Sequence, residues 1–343
     1  MDCTVKNTRI EAICACVSKK SVLISDLAKE LSYDENRANR LKKVNGFSSL
    51  SIIDERLSFL DMCVACVKHL CSVHNLNSSD IDAVIVNTQS HPFLIPGTSY
   101  QIQNELNLKE DVFLLDNIAG CTSFISSIIQ GATLIESGMC KKVLIIVGDV
   151  TNRRNSNVAV NKDGFLESGD GCASILLTYD IRAKEMNLLS KSFGNQFDVI
   201  KDEALGSMIL RNPEKCLNPY FIIDGNRYNS FVLEEAAKGI EDFITKFKIN
   251  KNSINRFYFQ QQSRMLLQAL TYQVRISENK VPFLLEQYGN LSGASIPVAI
   301  IIDNLNNKIN YEQAIICGFG AGLSFNIGSV NLSDTKIYNI LEI

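Results

Sequence analysis

The sequence predicts an α/β protein with a duplicated core of sheet and helix layers, and three observations predict it. Short β-rich apolar runs alternate with longer segments of helical period, the signature of sheet and helix layers. The second half of the chain repeats the rhythm of the first. And 343 residues, 46% of them hydrophobic and 21% charged, form a chain able to bury roughly three quarters of its unfolded surface.

The elements follow in order. DAVIVNT (82 to 88), DVFLLD (111 to 116), KVLIIVG (142 to 148) and CASILLTY (172 to 179) read as strands, and FISSIIQGATLIESG, Phe124 to Gly138, reads as a helix between two of them. SSDIDAVIVNTQS (78 to 90) has the rhythm of KNSINRFYFQQQS (251 to 263): a polar lead-in, a strand, then a polar end that opens a helix. KKVLIIVGDV (141 to 150) is answered by YEQAIICGFGAG (311 to 322). A duplication explains both pairs, with the join near 180 to 190 and halves of 1–185 and 186–343. The plainer alternative is that strand starts resemble one another.

Composition narrows the function. A net charge of -3, from 34 basic and 37 acidic side chains, offers no broad positive field for a nucleic-acid backbone. The longest apolar runs, VLIIV at 143 to 147 and IPVAIII at 296 to 302, are strand-sized, well short of the roughly 20 residues that cross a bilayer. The first residues lack the basic region and apolar core of a secretory signal. The expectation is a soluble cytoplasmic protein with no nucleic-acid or membrane partner.

The 11 cysteines are odd in number and several sit in apolar periodic segments, which fits reduced, buried thiols. Cys63, Cys66, His69 and Cys71 in DMCVACVKHLC have ligand-like spacing, but the same positions extend a helical stripe from Leu57 and Leu60 through Val64, Val67 and Leu70. With no second ligand pair, a helix face is expected and no metal or other cofactor.

Three segments carry chemistry: AGCTS at 119 to 123, YGNLSGASIP at 288 to 297 and GFGAG at 318 to 322. Cys121 stands at the start of the helix running to Gly138, where free N–H groups and the positive end of the dipole favour thiolate over thiol. Gly318, Gly320 and Gly322 let the backbone approach a ligand and turn an N–H toward an oxyanion. Asn290 offers an amide donor. A buried thiol, a turn asparagine and a glycine turn are the competing readings of the same residues. A cysteine nucleophile ordinarily works with a histidine, yet His69, His74 and His91 all precede Cys121.

Taken together, DIDAVIVNTQS, LIPGTSYQIQNEL, DNIAGCTSF, SGDGCASILL, YGNLSGASIPVAI and GFGAGLSF make the chain resemble the β-ketoacyl-acyl carrier protein synthase III branch of the thiolase superfamily along nearly its whole length. The resemblance implies a thiolase-like fold, a duplicated, layered α/β/α/β/α core of two similar halves, and an acyltransferase. Cys121 would take the acyl group as a thioester, and Asn290 would hold the second substrate's carbonyl. Backbone N–H groups of Cys121 and, from the Gly320–Ala321 loop, Ala321 would form the oxyanion hole. Phe93, in SHPFLIP, sits where the family sends an apolar side chain across a dimer interface into the neighbouring acyl pocket, so a homodimer is implied.

The family's Pro-His-Gln-Ala-Asn-like text is FQQQS here, Phe259 to Ser263, and Gln260 falls at the histidine's place. A glutamine amide donates and accepts hydrogen bonds but does not titrate in the working range. It suits the enolate formed by decarboxylation of a malonyl thioester better than deprotonation of an alcohol or amine. Glu167 and Asp170 are the alternative carboxylates, each with a structural reading. The chain has no tryptophan to stack an adenine, but Arg40, Lys42 and Lys43 remain for phosphates. Arg264 and Arg275, on the helix after Gln260, with Lys246, Lys248, Lys251 and Arg256 nearby, form a face for an acidic acyl carrier protein or simply a solvated basic surface. The expected partners are therefore acyl carrier protein or coenzyme A thioesters. Three functions compete: decarboxylative condensation, acyl transfer to an oxygen or nitrogen acceptor, and a non-catalytic ketosynthase partner.

Overall fold

A computed structural model describes residues 1–151, 166–202, 221–307 and 312–343. In chain order the strands are β1 (Asp2–Val5), β2 (Thr8–Val17), β3 (Ser21–Leu23), β4 (Ser49–Ser51), β5 (Ala83–Asn87), β6 (Phe113–Asn117), β7 (Lys142–Asp149), β8 (Gly171–Tyr179), β9 (Met186–Ser192), β10 (Ile200–Asp202), β11 (Phe221–Ile223), β12 (Arg256–Phe259), β13 (Ala314–Gly320), β14 (Ser324–Val330) and β15 (Lys336–Glu342). Two large sheets result, in the orders β15-β2-β8-β7-β5-β6 and β1-β9-β14-β13-β12.

The sheets are built alike. β5 runs parallel to β7, and β12 runs parallel to β13. In each sheet the next strand is antiparallel, β8 beside β7 and β14 beside β13. These are the pairs the sequence repeat matched, except that Tyr311 at the head of the second repeat lies outside the described residues. The chain ends cross between the sheets: β1 pairs with β9, and β15 runs parallel to β2.

Between the sheets lie two helices, Ser123–Glu136 and Ser295–Asn307. Their residues Phe124, Ile125, Ile128, Val298 and Ile300 share the central core with Ile85, Ile145 and Ile316 of the strands. The apolar run at 296 to 302, strand-sized by length, is helical. Nearly all of its side chains are buried, and a helix packed between two sheets is apolar all round, which removes the period that marks a surface helix. Pro297 stands in the first turn of that helix, where no backbone donor is lost.

The outer faces carry the remaining layers. On the first sheet lies helix Phe59–His74, started by a Ser58–Asp61 capping box and stopped at Asn75 in the left-handed conformation. Its Cys63 and Cys66 pack with Cys14, Cys16 and Cys172 in an apolar cluster, while His69 and Cys71 are half-buried to one side. The cysteine spacing thus serves a packed helix face. On the second sheet, helices Ala237–Lys246 and Arg264–Gln273 bury Ile240, Phe243, Leu267 and Leu270.

Candidate active site

The two central helices begin beside one another. A 3-10 turn, Gly120–Thr122, leads into helix Ser123–Glu136, and a second, Ser292–Ala294, leads into helix Ser295–Asn307. Small residues permit the approach. A Cβ on Gly293 would lie 1.8 Å from Ser123 Oγ, and one on Gly318 would lie 2.7 Å from the Cys121 carbonyl oxygen. Gly120, at φ +51°, turns the chain so that Cys121 faces the junction.

Cys121 is partly accessible. It opens onto a cavity of about 80 Å³ that Gln89, Glu167, Gln262, Asn290, Ser292 and Ala321 also line, with Gly320 and Tyr228. Burial pushes its thiol up to about 12; Asp149 adds to the shift, and hydrogen bonds with Ser292 and Asn290 pull the other way. A helix start alone therefore does not leave Cys121 as a resting thiolate, because loss of hydration outweighs a dipole's effect.

Asn290 is held from several sides. Its Oδ1 accepts from the Ser292 N–H at 3.0 Å, the Ser295 hydroxyl at 3.0 Å and Gln260 Nε2 at 2.9 Å. With Oδ1 fully engaged, Nδ2 must face outward; it donates to Gln262 Oε1 at 2.8 Å, and Asn290 lines the cavity together with Cys121. Nδ2 is thus the donor presented to a ligand above the sulfur.

Gln260 does not line this cavity. It is fully buried, and both hydrogens of its amide are spent, on Asn290 Oδ1 and on the Ser292 carbonyl at 3.1 Å. Exchanging its nitrogen and oxygen would set an acceptor against two acceptors, so the orientation is determined. A direct donor role toward an enolate is thereby corrected to that of holding Asn290 from behind. The cavity receives Gln262 instead, whose amide also reaches Glu167 Oε2 at 3.4 Å.

The other expected residues separate. Asp170 is buried, and its carboxylate accepts from the Ile53 N–H at 3.0 Å, a structural use. Phe93 is 59% exposed, beside Leu94 and Ile95 at 76% and 85%. Arg40, Lys42 and Lys43 are exposed on helix Glu35–Asn45. Arg264 begins its helix and pairs with Glu286 at 3.0 Å, whereas Arg275 lies beyond the helix end at Gln273. The nearby basic run is largely engaged. Lys246 pairs with Asp2 at 2.8 Å, Lys251 bonds the Val274 carbonyl, and Arg256 pairs with buried Asp303 at 2.9 Å.

Gln89, Gln262, Ser292 and Asp149 were not singled out as site residues by sequence. The signal for Gln89 and Gln262 lay in the repeat itself, since NTQS and FQQQS end equivalent strands and both ends reach the junction. A second cavity, of about 330 Å³, shares Glu167, Tyr228 and Gln262 with the first and runs past Asn45, Ser263 and Met265, giving a way in from the helix Arg264–Gln273 side.

Residues 115–196 match the family described as 3-oxoacyl-[acyl-carrier-protein] synthase III, and residues 244–332 match its C-terminal part. A Clostridium perfringens relative named beta-ketoacyl-[acyl-carrier-protein] synthase III is 29% identical, with 82% of this chain and 86% of that one covered. Its Streptococcus sanguinis namesake is 27% identical over 77% and 82%. The crystal structure of a 3-oxoacyl-(acyl-carrier protein) synthase from Burkholderia xenovorans has the same fold, at TM-score 0.91 and 22% identity over 100% of this chain and 99% of that one. With this fold and these two matches, the chain belongs to the β-ketoacyl-acyl carrier protein synthase III family of thiolase-like acyltransferases.

Proposed function

We propose that the chain forms an acyl-Cys121 thioester and condenses it with a malonyl thioester, releasing carbon dioxide. The observation that carries this reading is the meeting of Cys121, Asn290 Nδ2 and the Gly320–Ala321 backbone in one cavity. Decarboxylation of the malonyl group leaves an enolate whose oxygen needs donors rather than a base, and Asn290 supplies one without exchanging a proton. The enolate carbon then attacks the Cys121 thioester, and the 3-oxoacyl product leaves on its own carrier. Exposed Arg40 and Lys43, with Arg264 packed beside the end of their helix at Gly46 and exposed Arg275 beyond Gln273, suit an anionic carrier, whether acyl carrier protein or coenzyme A. Exposed Phe93, Leu94 and Ile95 favour a homodimer. Among the described residues no helix is long and apolar enough to cross a membrane, and the proposed carriers belong to the cytoplasm.

Acyl transfer to an alcohol or amine is the second reading, favoured by one observation: Glu167 places a carboxylate in the cavity. The test is intact mass after incubation with acyl-carrier and acyl-coenzyme A donors, followed by malonyl-carrier with carbon dioxide measured. One added acyl mass on Cys121, absent in Cys121→Ala and discharged with stoichiometric carbon dioxide, is expected. Discharge only by hydroxyl or amine acceptors would move the function to acyl transfer, and a Cys121 that no donor acylates would refute both.

A further inference from the structure

Asn290 presents one donor to a ligand above Cys121, while Gln260, expected as a second donor toward an enolate, has spent both hydrogens of its amide behind the site. The residue that reaches the cavity from the same turn is Gln262. Its backbone N–H donates to the Gln260 carbonyl at 2.9 Å, between β12 and helix Arg264–Gln273, whose N-cap is the next residue, Ser263. At its tip, Oε1 accepts from Asn290 Nδ2 at 2.8 Å and Nε2 donates to Glu167 Oε2 at 3.4 Å. An amide nitrogen donates and a carboxylate accepts, so both neighbours agree on which end of the Gln262 amide is oxygen and which is nitrogen. Glu167 is itself locked to the backbone that carries Asn290: its carbonyl accepts the Asn290 N–H at 2.8 Å, and the Gly169 N–H donates to the Asn290 carbonyl at 3.0 Å. The second hydrogen of Gln262 Nε2 has no partner among the described residues.

We propose that Gln262 is a catalytic residue, whose Nε2 gives the enolate oxygen a second donor beside Asn290 Nδ2. The distances allow it. Gln262 Oε1 lies 2.8 Å from Asn290 Nδ2. The oxygen and nitrogen of one amide stand about 2.2 Å apart by their bond lengths, so the two donor nitrogens are at most about 5.0 Å from one another. Two N–H groups that each reach an oxygen at about 2.9 Å can stand as much as about 5.8 Å apart, so one oxygen can take both. Both residues line the cavity onto which Cys121 opens. As the malonyl carbon–carbon bond breaks and carbon dioxide leaves, the bonding pair passes into the enolate, and negative charge gathers on the former carbonyl oxygen. Two neutral amides meet that charge, each keeping its hydrogens, and no proton changes hands. Donors fixed before the charge develops need no reorganisation at the moment of reaction. The contact with Glu167 is long for a hydrogen bond, so the amide gives up little by favouring the oxyanion, while Glu167 keeps its nitrogen on the proper side.

This role rests on the condensation reading, and the test keeps the two apart by acylating Cys121 first and then mixing the acyl-enzyme with malonyl-coenzyme A or malonyl-carrier protein. Gln262→Met keeps the length of the side chain and removes the donor. Its acyl-enzyme should form at the parent's rate, and its carbon dioxide release should slow on the order of 10²-fold, the range for one oxyanion donor. The loss should fall on kcat more than on KM, because the interaction is made with the developing charge. In an Asn290→Ala protein, shown to be folded by its melting curve, no amide is left for Gln262 to aim. Gln262→Met should still slow that protein by about tenfold or more, since two donors to one oxygen act in their own right. A Gln262→Met rate within about threefold of the parent would show a side chain that only fills space. No further slowing in the Asn290→Ala background would show that Gln262 only aims Asn290, and a Gln262→Ala protein faster than the parent would show a plug over the Asn290 donor. Any of these three results would overturn the proposal and leave condensation standing. A parent acyl-enzyme that releases no carbon dioxide from either malonyl donor would refute condensation and this role together.

Discussion

Gln260 donates to Asn290 Oδ1 at 2.9 Å from a position with no exposure of its own. That contact fixes which end of the Asn290 amide faces the cavity, and through it we propose that Gln260 acts on the reaction. A partner for Asn290 at this depth must offer a hydrogen and need not titrate, so glutamine serves here where a histidine was expected.

The first prediction follows from this. Gln260→Ala removes two hydrogen bonds and leaves Asn290 Oδ1 with its two remaining donors, freeing the amide to turn. Condensation should slow on the order of 10²-fold, as for loss of an oxyanion donor, while single-turnover acylation of Cys121 changes little. Gln260→Glu should be at least as damaging, because an acceptor then meets Asn290 Oδ1 and the Ser292 carbonyl. Measured carbon dioxide release and acyl-enzyme decay decide it; a Gln260→Glu protein as active as the parent would contradict the assignment.

A second prediction concerns acid stability. His74 bridges Tyr338 of β15 and Glu11 of β2, with Nδ1 2.8 Å from the phenol oxygen and Nε2 2.9 Å from the Glu11 carboxylate. Burial works to raise the Glu11 carboxyl; the His74 hydrogen bond, then Lys142 at 3.9 Å, outweigh it and hold the group below its ordinary 4.5. A depressed carboxyl stabilises the fold above the unfolded value and loses that contribution as pH falls through the folded one. Glu11→Gln should cost about 1–3 kcal/mol at pH 7, the range for a buried polar partner removed. The gap to the parent should close below pH 4, read by urea denaturation at several pH values.

What sequence made legible divides along physical lines. Strands β5, β7 and β8 and helix Ser123–Glu136 fall within a few residues of their expected spans, because each is a continuous or periodic apolar run with polar ends. The run at 296 to 302 looked strand-sized because a helix covered on every side has no polar face to betray its period. Cys121 and Asn290 were picked out by the small residues around them, and the fold brings the two to one cavity. Gln260 was located but its direction was not, since aiming an amide depends on Ser292 and Ser295, which only the folded junction brings near. Asp149 was hidden because it reads as the end of a β-strand.

Phe93, Leu94 and Ile95 at 59%, 76% and 85% exposure, with Ile118 at 71%, leave much apolar surface in water near edge strand β6. An open edge and an apolar patch together are unfavourable for a lone subunit. Light scattering at micromolar concentration should give about twice 38.1 kDa. Ile95→Glu, at the most exposed of these positions, should shift the mass toward one copy and lower activity together. A parent that remains a fully active monomer would end the dimer proposal.

The last prediction tests the fit of the glycine strand on the nucleophile. An ideal Cβ on Gly320 would sit 3.0 Å from Cys121 Cβ and 3.6 Å from its backbone nitrogen. The first distance is shorter than carbon atoms ordinarily tolerate, and neither side yields freely: Gly320 pairs with Ser324 in the β13–β14 ladder, and Cys121 is fixed in the turn that opens helix Ser123–Glu136. A methyl there must displace Cys121 by a few tenths of an ångström while leaving the ladder bonds intact. Because attack depends on near-contact geometry, a small displacement has a large effect on rate and a small one on stability. Gly320→Ala should therefore lower the acylation rate of Cys121 at least tenfold while costing about 1–3 kcal/mol, the usual range for overpacking a tight site. Gly194, whose Cβ would meet nothing within 4 Å, provides the control, and Gly194→Ala should acylate as the parent does. Equal acylation rates in Gly320→Ala and Gly194→Ala would show that this strand does not set the position of the sulfur.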